Sequence, residues 1–440
     1  MFTPLLTQVR TYYFSVDCGM SYIMRLCDGR FIIIDGNVGE YDEAEHLYSL
    51  LCEQNGLEGE PQIAAWFITH PHSDHFGCFV KFYRRFGDRV KIEKLYYHFP
   101  TPGIFDSEGC DRTEFNKVIN EIDAEIIAPK TGDRYVFADA EFEVLFCCED
   151  LYPGPVNNIN NSSFVMKMHL GNYDVLWLGD LQREGSDRLC AQVDKEKLKC
   201  DLLQVGHHGY NGGSDELYRA ADPKYLLWPC PDFWYFCVSR WECNDFILNS
   251  DTIKERFISG RGEITLDMAA PMPEFDPYDK TSLTADFSEK SPLALGWSCI
   301  TGGRTGYAPA RLEFTDNGCK LTAEGDALTL CQMIQRGQVA KAERYSFEFS
   351  GEFCGGELFG IMFDSAKPTV WEESTHVELK PEKAAFAYRL LADRQAKKAI
   401  LFDGEQTVAE CALCGEPCDV ILVLKNAAVK LDRVVYKELD

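Results

Sequence analysis

Five of the nine histidines in this chain fall in two short stretches. The first is Thr69-His70-Pro71-His72-Ser73-Asp74-His75, directly after the apolar run Ala64–Thr69. In an extended segment alternate residues share a side, so His70 and His72 can converge on one point. Asp74 and His75 follow at the turn into the next helical stretch, displaced enough to serve a second point. Neutral imidazoles and a carboxylate suit zinc, and also manganese or iron. The second stretch, Gly206-His207-His208-Gly209, ends the apolar run Asp201–Gly206, and Gly179-Asp180 ends the run Tyr173–Asp180. The two oxygens of a carboxylate at Asp180 could reach separate cations. Taken alone, Asp180 reads as an ordinary turn residue and a lone Gly-His-His-Gly says little. Three strand ends that each carry a metal-capable residue say more, because open α/β sheets place their ligands at that rim.

The elements that must position these residues are readable as alternating runs. Phe31–Gly36, Ala64–Thr69, Tyr173–Asp180, Asp201–Gly206 and Lys224–Pro229 are apolar strands. The stretches 41–54, 76–86, 113–127, 183–198 and 214–221 are helical candidates. This alternation predicts an α/β layered domain over residues 1–268. The segment 269–280 holds three prolines and reads as a linker. Beyond it, over 281–440, short strands at 345–353, 358–364, 385–392, 399–404 and 420–426 are set off by Gly, Asn and Asp turns. They predict an antiparallel β-sandwich, jelly-roll-like, as a second domain.

Composition narrows the partners. The chain has 440 residues, 70 Asp and Glu against 44 Lys and Arg, and a net charge of −26. A field of that sign repels polyanions and argues against broad nucleic-acid binding, but leaves room for a small anionic substrate at a local cation. No apolar run is long enough for a membrane span. The N-terminus lacks a basic region followed by an apolar stretch, so no signal peptide is expected. Nineteen cysteines, an odd number without dense spacing, suit free thiols in a reducing cytoplasm. Cys411, Cys414 and Cys418 have ligand-like spacing but no second pair. Buried thiols are the simpler reading there, a structural zinc the sharper one.

With those residues in view, the sequence resembles the metallo-β-lactamase-fold hydrolase superfamily. The HxHxDH signature matches His70, His72, Asp74 and His75. More narrowly it looks like the branch of the ComEC-type competence-protein hydrolase domain and the phosphorylcholine esterases. That branch shares a VDxGxGxxxxI-type opening, met in part by Val16–Ile23 with Ser21 at the second glycine. It also shares the strand-ending Asp35-Gly36, an NNSS-type segment at Asn160–Ser163, Leu178–Asp180 and Val205–Gly209. The likeness runs in order over residues 10–268. It implies an αββα sandwich with one or two divalent metal ions, zinc first, at one edge. His70 and His72 would hold one ion, Asp74 and His75 the other, and Asp180 would bridge. One of His207 and His208, with a preference for His208, would complete the second set, and the other would hydrogen-bond the substrate. Many superfamily members place a further His before the bridging Asp. Here that stretch is Asn157–Ser163, and His169 reads as a core or surface residue, so an Asn amide or water would complete the first set. Asp35, Asn160 and Asn161 are candidates for supporting the ligands.

The chemistry implied is hydrolysis by a metal-activated hydroxide, since a bound divalent ion lowers the pKa of its water from about 15.7 to about 7. Asp74 could orient the nucleophile as well as bind metal. The branch resemblance favours a phosphodiester or phosphomonoester. The alternatives are an ester, lactone or amide, or a non-catalytic binding protein with a vestigial metal site. Tyr210 and Asn211, next to the histidine pair on a Gly-rich loop, are substrate-rim candidates. The aromatic segment 228–241 could hold a quaternary ammonium or a sugar face, or simply pack between layers. The close of the chain, 427–439, looks like the last strand of carbohydrate-binding jelly rolls; the second domain is expected to be a structural or dimerising sandwich, forming a homo-oligomer, or a glycan-binding module.

Overall fold

The computed structural model describes residues 1–11, 19–39, 43–100, 111–151, 159–231, 235, 242–272, 280–287, 298–300, 310–315, 317–334, 336–365, 371–381 and 383–439. They divide into two compact units that meet in sequence near residue 275.

The first unit is built on two seven-stranded sheets. The first sheet takes β1 (Leu5–Gln8), β2 (Ser21–Arg25), β3 (Phe31–Asp35), β4 (Ile63–Ile68), β5 (Lys94–Tyr97) and β6 (Glu125–Ile127) in that order. The second takes β7 (Arg134–Phe137), β8 (Ala140–Phe146), β9 (Val165–Leu170), β10 (Tyr173–Trp177), β11 (Leu202–Gln204), β12 (Tyr225–Trp228) and β13 (Glu255–Ile258). The last strand, β14 (Ile264–Asp267), returns to pair with β1. Strands β3 to β6 run parallel, as do β10 to β13. Parallel strands are buried on both faces and read as continuous apolar runs, which is why FIIID and IAAWFI were visible without alternation. Between the sheets lie Met24, Ile34, Phe67 and Tyr96 from one side and Phe142, Met166, Trp177 and Leu227 from the other.

Helices α1 (Glu43–Gln54), α2 (Ser73–Phe86) and α3 (Thr113–Glu121) cover the outer face of the first sheet, setting Leu47, Leu51, Phe79, Phe82 and Phe115 on Ile33, Trp66 and Leu95. The crossovers of the second sheet carry α4 (Arg183–Gln192), α5 (Lys195–Leu198) and α6 (Asp215–Ala221), each with a buried apolar side. The unit is therefore the αββα sandwich expected. No helix among the described residues is long and apolar enough to cross a membrane.

Three elements differ from the sequence reading, each for a local reason. Helix α2 begins at Ser73 rather than Phe76, which brings Asp74 and His75 into its first turn. An acidic side chain is favoured there by the unpaired N–H groups and the helix dipole. The stretch 113–127 is a helix only to Glu121; Ile122 turns extended and 125–127 forms edge strand β6. The stretch 183–198 breaks at Val193, and the Asp194 carboxylate caps a new turn by accepting the Glu196 N–H at 3.0 Å.

The second unit is an all-antiparallel sheet network, a β-sandwich, around Phe347, Phe349, Phe359, Ile361, Leu422, Leu424 and Tyr436. Its two long strands, Arg344–Asp364 and Pro417–Glu438, pair along most of their length. The first was read as two strands because glycines interrupt it. The structure keeps it continuous, with register shifts at Ser350/Gly351 and Phe353/Gly355. Cys411 is half-buried, Cys414 exposed and Cys418 buried. No metal-capable grouping among the described residues contains them, and of the three thiols expected to be buried only Cys418 is.

Helix α2 starts in close contact with two other segments. The Met20 N–H donates to the Asp74 carbonyl at 3.3 Å, and the Cys78 N–H to the Gly36 carbonyl at 2.8 Å. A Cβ on Gly77 would stand 1.8 Å from the Val38 carbonyl oxygen, and one on Gly19 2.8 Å from the Asp74 oxygen. Gly77→Ala is therefore expected to destabilise the chain by about 1–3 kcal/mol, the usual cost of overpacking. Urea unfolding of the variant beside the wild type checks this.

Candidate metal centre

The C-terminal ends of β4, β10 and β11 converge on one rim, and each delivers its polar residues there. His70 and His72 follow β4, with His70 Nε2 3.0 Å from His72 Nδ1. Asp74 and His75 sit on the first turn of α2. Asp180 follows β10, and His208 follows β11. Two groups of donors result. One is His70, His72 and Asp180; the other is Asp74, His75, Asp180 and His208. Within each group the ligand atoms lie within 4.8 Å of one another, and Asp180 belongs to both. Its Oδ2 is 3.7 Å from His70 Nε2, 3.1 Å from His75 Nε2 and 3.3 Å from His208 Nε2. Asp74 Oδ2 lies 3.6 Å from His75 Nε2 and 3.3 Å from His208 Nε2. All but His72 are buried.

The surroundings fix how each ring presents itself. Asp35 is fully buried and receives four bonds. Its carboxylate accepts the Thr69 N–H at 2.7 Å, the Thr69 hydroxyl at 2.8 Å and His75 Nδ1 at 2.8 Å; its carbonyl accepts the Trp66 indole at 3.0 Å. Asp35, the last residue of β3 and a candidate for supporting a ligand, thus holds the His75 ring by its Nδ1. His208 Nδ1 donates to the Pro229 carbonyl at 2.8 Å. In both rings Nδ1 is committed, so the Nε2 lone pair faces the cluster. His207 has the opposite arrangement: the Gln182 amide nitrogen stands 2.9 Å from its Nδ1, and its Nε2 lies 3.9 Å from Asp180 Oδ2.

The histidine pair does not lie on extended backbone. His207 (φ 46°) and His208 (φ 56°) are both left-handed, inside a tight turn between Gly206 and Gly209. The outcome expected, that only one of the two joins the donor group, still follows, because the tight turn sends the rings in different directions. Backbone of this kind costs about 1–3 kcal/mol per residue and persists only where the surroundings hold it. Here the His207 N–H donates to the Gly179 carbonyl at 3.1 Å, the Trp228 indole to the His208 carbonyl at 3.0 Å, and Asn244 to the Gly209 carbonyl at 2.8 Å.

Burial and charge pull the rings apart. Burial disfavours a charged His75, but Asp180, Asp74 and Asp35 outweigh it and hold its pKa well above the ordinary value. Burial, reinforced by the charge of His75, pushes His70 well below it. His207 is lowered to about 4, mainly by burial. Burial raises Asp180, but His208 and His75 overcome it and hold the carboxyl far down.

The remaining candidates are placed as follows. Asn160 and Asn161 lie in a 3-10 turn, Ile159–Ser162. The Asn160 amide is 3.4 Å from His207 Nε2, while Asn161 Oδ1 accepts the Gln182 and Gly185 N–H groups at 3.0 and 3.1 Å and so anchors α4. His169 is an exposed β9 residue 2.8 Å from Asp174, outside the cluster. Tyr210 packs edge-on to His207 with centroids 5.6 Å apart, and Asn211 is exposed. Trp228 is wholly buried beneath the His208 turn with Tyr235 against it. Most of 232–241, together with Val16–Cys18, Asn157 and Asn158, lies outside the described residues. One residue missed in sequence is Gln204. Its amide oxygen accepts the Leu178 and Gly179 N–H groups at 2.9 and 2.8 Å, and its nitrogen donates to the Gly179 and Val205 carbonyls at 3.0 and 2.7 Å. A buried Gln within an otherwise apolar strand was the available signal.

The donors fit divalent cations. Asp180 Oδ1 and His75 Nε2 are buried with no hydrogen-bond partner, a costly state that coordination would relieve. His70, His72, Asp74, His75, Asp180 and His208 would hold the ions. Asp35→Asn is expected to weaken metal binding about 10–100-fold while leaving the fold intact; competition against a chromogenic chelator measures it, with circular dichroism as the control.

The comparisons agree with this geometry. Residues 21–227 match the family model described as the metallo-beta-lactamase superfamily. ComE operon protein 3 of Bacillus subtilis (strain 168) is 30% identical over 215 residues, which cover 45% of this chain and 25% of that protein. The chain thus spans about a quarter of that relative's length. Among solved structures, the metallo-beta-lactamase fold protein YhfI from Bacillus subtilis is 14% identical, covering 58% of this chain and 96% of that one with a TM-score of 0.36. CmlA, a diiron beta-hydroxylase from Streptomyces venezuelae, is 12% identical over 61% of this chain and 54% of that one, with a TM-score of 0.38. The αββα unit with its rim of His and Asp donors is a metallo-beta-lactamase superfamily domain, with a ComEC-like relative in ComE operon protein 3.

Proposed function

We propose that the first unit is a hydrolase of a phosphodiester or phosphomonoester that works with two divalent cations. The observation that carries the reading is the pair of donor groups sharing Asp180. Cations bound there would supply Lewis acidity and ionised water at neutral pH. Two adjacent positive charges match a phosphoryl group, whose oxygens carry negative charge that grows during displacement, better than a neutral carbonyl. In a chain of net charge −26, that local positive field is also what would admit an anionic substrate.

The chain's own residues divide the remaining work. Asp180 would be shared by the two ligand sets, and Asp74, whose Oδ2 lies 3.3 Å from His208 Nε2, would orient the attacking water as well as bind. Asp35 and the Pro229 carbonyl keep His75 and His208 in the ligating tautomer. His207 plays a different part. Gln182 donates to its Nδ1; with the proton on Nε2, which the Asn160 side-chain amide faces at 3.4 Å, the neutral ring would donate to a substrate oxygen or leaving group. Of the two adjacent histidines, His208 is then the ligand and His207 the donor.

Asp180→Asn and His72→Ala are each expected to abolish turnover of bis-p-nitrophenyl phosphate without unfolding the chain. Turnover of p-nitrophenyl acetate in preference to the phosphodiester would favour the ester, lactone or amide reading. A chain that retains no metal after dialysis would favour a vestigial site. His207→Ala should lower kcat about 10²–10⁴-fold, the usual worth of a positioned proton donor, with metal content unchanged. Steady-state kinetics beside elemental analysis distinguishes this from loss of a ligand.

A further inference from the structure

We propose that His98, Cys148 and Glu149 form a separate site for a divalent transition cation of the zinc class, on the same rim of the first unit but apart from the His and Asp centre. The side chains come from two distant parts of the sequence, His98 and the adjacent pair Cys148-Glu149, yet a ring nitrogen, a sulfur and a carboxylate oxygen lie within 4.8 Å of one another. The ligand atoms of a tetrahedral zinc stand about 3.3–3.6 Å apart, given bond lengths of ~2.0–2.3 Å, so His98 and Glu149, 2.6 Å apart, would open slightly to admit the ion while the sulfur closes on it. Cys148 is buried, His98 half-buried and Glu149 exposed, which leaves a path from solvent and an open position for water.

The donors are already oriented. His98 Nδ1 lies 2.7 Å from the Pro129 carbonyl and donates to it. In the neutral ring this leaves Nε2 as an acceptor, yet Nε2 faces Glu149 Oε1 at 2.6 Å. Two acceptors in apposition need a cation or a proton between them. The Cys148 thiol approaches the other carboxylate oxygen, Oε2, at 3.4 Å, so Glu149 lies between sulfur and imidazole. The turn that carries Cys148 and Glu149 is held from below. The Asp150 carboxylate accepts the Cys147 N–H at 2.9 Å and the Thr131 hydroxyl, and the Asp150 carbonyl accepts from Gln192 at 3.1 Å.

Position in the fold says what such an ion would do. His98 follows β5, which runs parallel to β4 in the first sheet. Cys148 and Glu149 follow β8, which lies two strands from β10 in the second sheet and has the same direction, through two antiparallel pairings. An ion held by all three would staple the two sheets beside the rim that carries Asp180. A thiolate donor also sets this site apart from the His and Asp centre, whose donors include no sulfur, and selects softer cations.

The experiment loads the full-length, metal-depleted chain with cobalt(II) and follows its absorption. The expected result is a sulfur-to-cobalt charge-transfer band in the near ultraviolet, lost in Cys148→Ser while the visible bands of the His and Asp centre remain. Glu149→Gln, at an exposed position, should keep the fold and weaken the cobalt affinity of that band by at least about tenfold. Absence of the band in the wild type would mean that a proton links His98 to Glu149, and overturns the proposal. So would a band that survives Cys148→Ser, or an unchanged affinity in Glu149→Gln should the serine variant fail to fold.

Discussion

One carboxylate oxygen, Asp180 Oδ2, lies within 3.9 Å of four imidazole nitrogens, on His70, His75, His207 and His208. The oxygen is buried, and taking an ionised carboxylate out of water costs several kcal/mol unless positive charge meets it. The rings cannot all supply that charge, because each protonated ring opposes the next. The outcome is a division: His75 is pushed up by three carboxylates, whereas burial holds His70 and His207 down. A site that concentrates negative charge, holds His70 and His207 as neutral nitrogen donors and leaves Asp180 Oδ1 unpartnered is suited to cations. The rest of the first unit can be understood as the apparatus that keeps this arrangement from relaxing.

That apparatus acts through hydrogen bonds one layer away from the cluster. Asp35 and the Pro229 carbonyl each take a proton from the far nitrogen of a ring and so turn a lone pair inward. Gln182 does the reverse at His207 and turns a proton inward. Two neighbouring histidines of identical chemistry thereby receive different roles from the groups behind them. Asn161 extends the chain of control by one link, since it holds the backbone of Gln182 and the start of α4. A change at Asn161 would reach His207 through two hydrogen bonds without touching the donor cluster.

Much of this was legible in the sequence where chemistry and local spacing coincide. His70, His72, Asp74 and His75 lie within six residues, and Asp180 and the histidine pair each close a buried apolar strand, so parallel-sheet topology brings them to one rim. What escaped was of two kinds. Local competition decided the ends of α2, α3 and α4: an acidic first turn lengthened the first, and the other two stopped where the chain turned extended. Long-range contact decided the second kind. Gln204 is an unremarkable amide until β10 and β11 are set side by side, and His98 and Cys148 are 50 positions apart and meet only across two sheets. The two left-handed histidines could not be read either, because His rarely adopts that conformation and nothing in a Gly-His-His-Gly string demands it.

The left-handed residues of the rim explain how strand ends can act as a rigid site. Asp35, Asn37, Gly179, His207, His208, Gly209, Asn211 and Gly213 all have positive φ, so each chain that leaves β3, β10 or β11 turns sharply at the sheet edge. A gradual loop would carry its polar residue away from the rim; an abrupt reversal leaves it above the strand, where the core below fixes its position. Such turns are unfavourable in isolation and survive because their peptide groups are bound on both sides, as the Gln204 amide binds both the N–H and the carbonyl of Gly179 with two of its four hydrogen bonds. The donor geometry is thus inherited from the sheets rather than from the loops, and the hydrolysis proposed for this site would depend on that inheritance, since donors already in place need not reorganise when charge develops on a substrate.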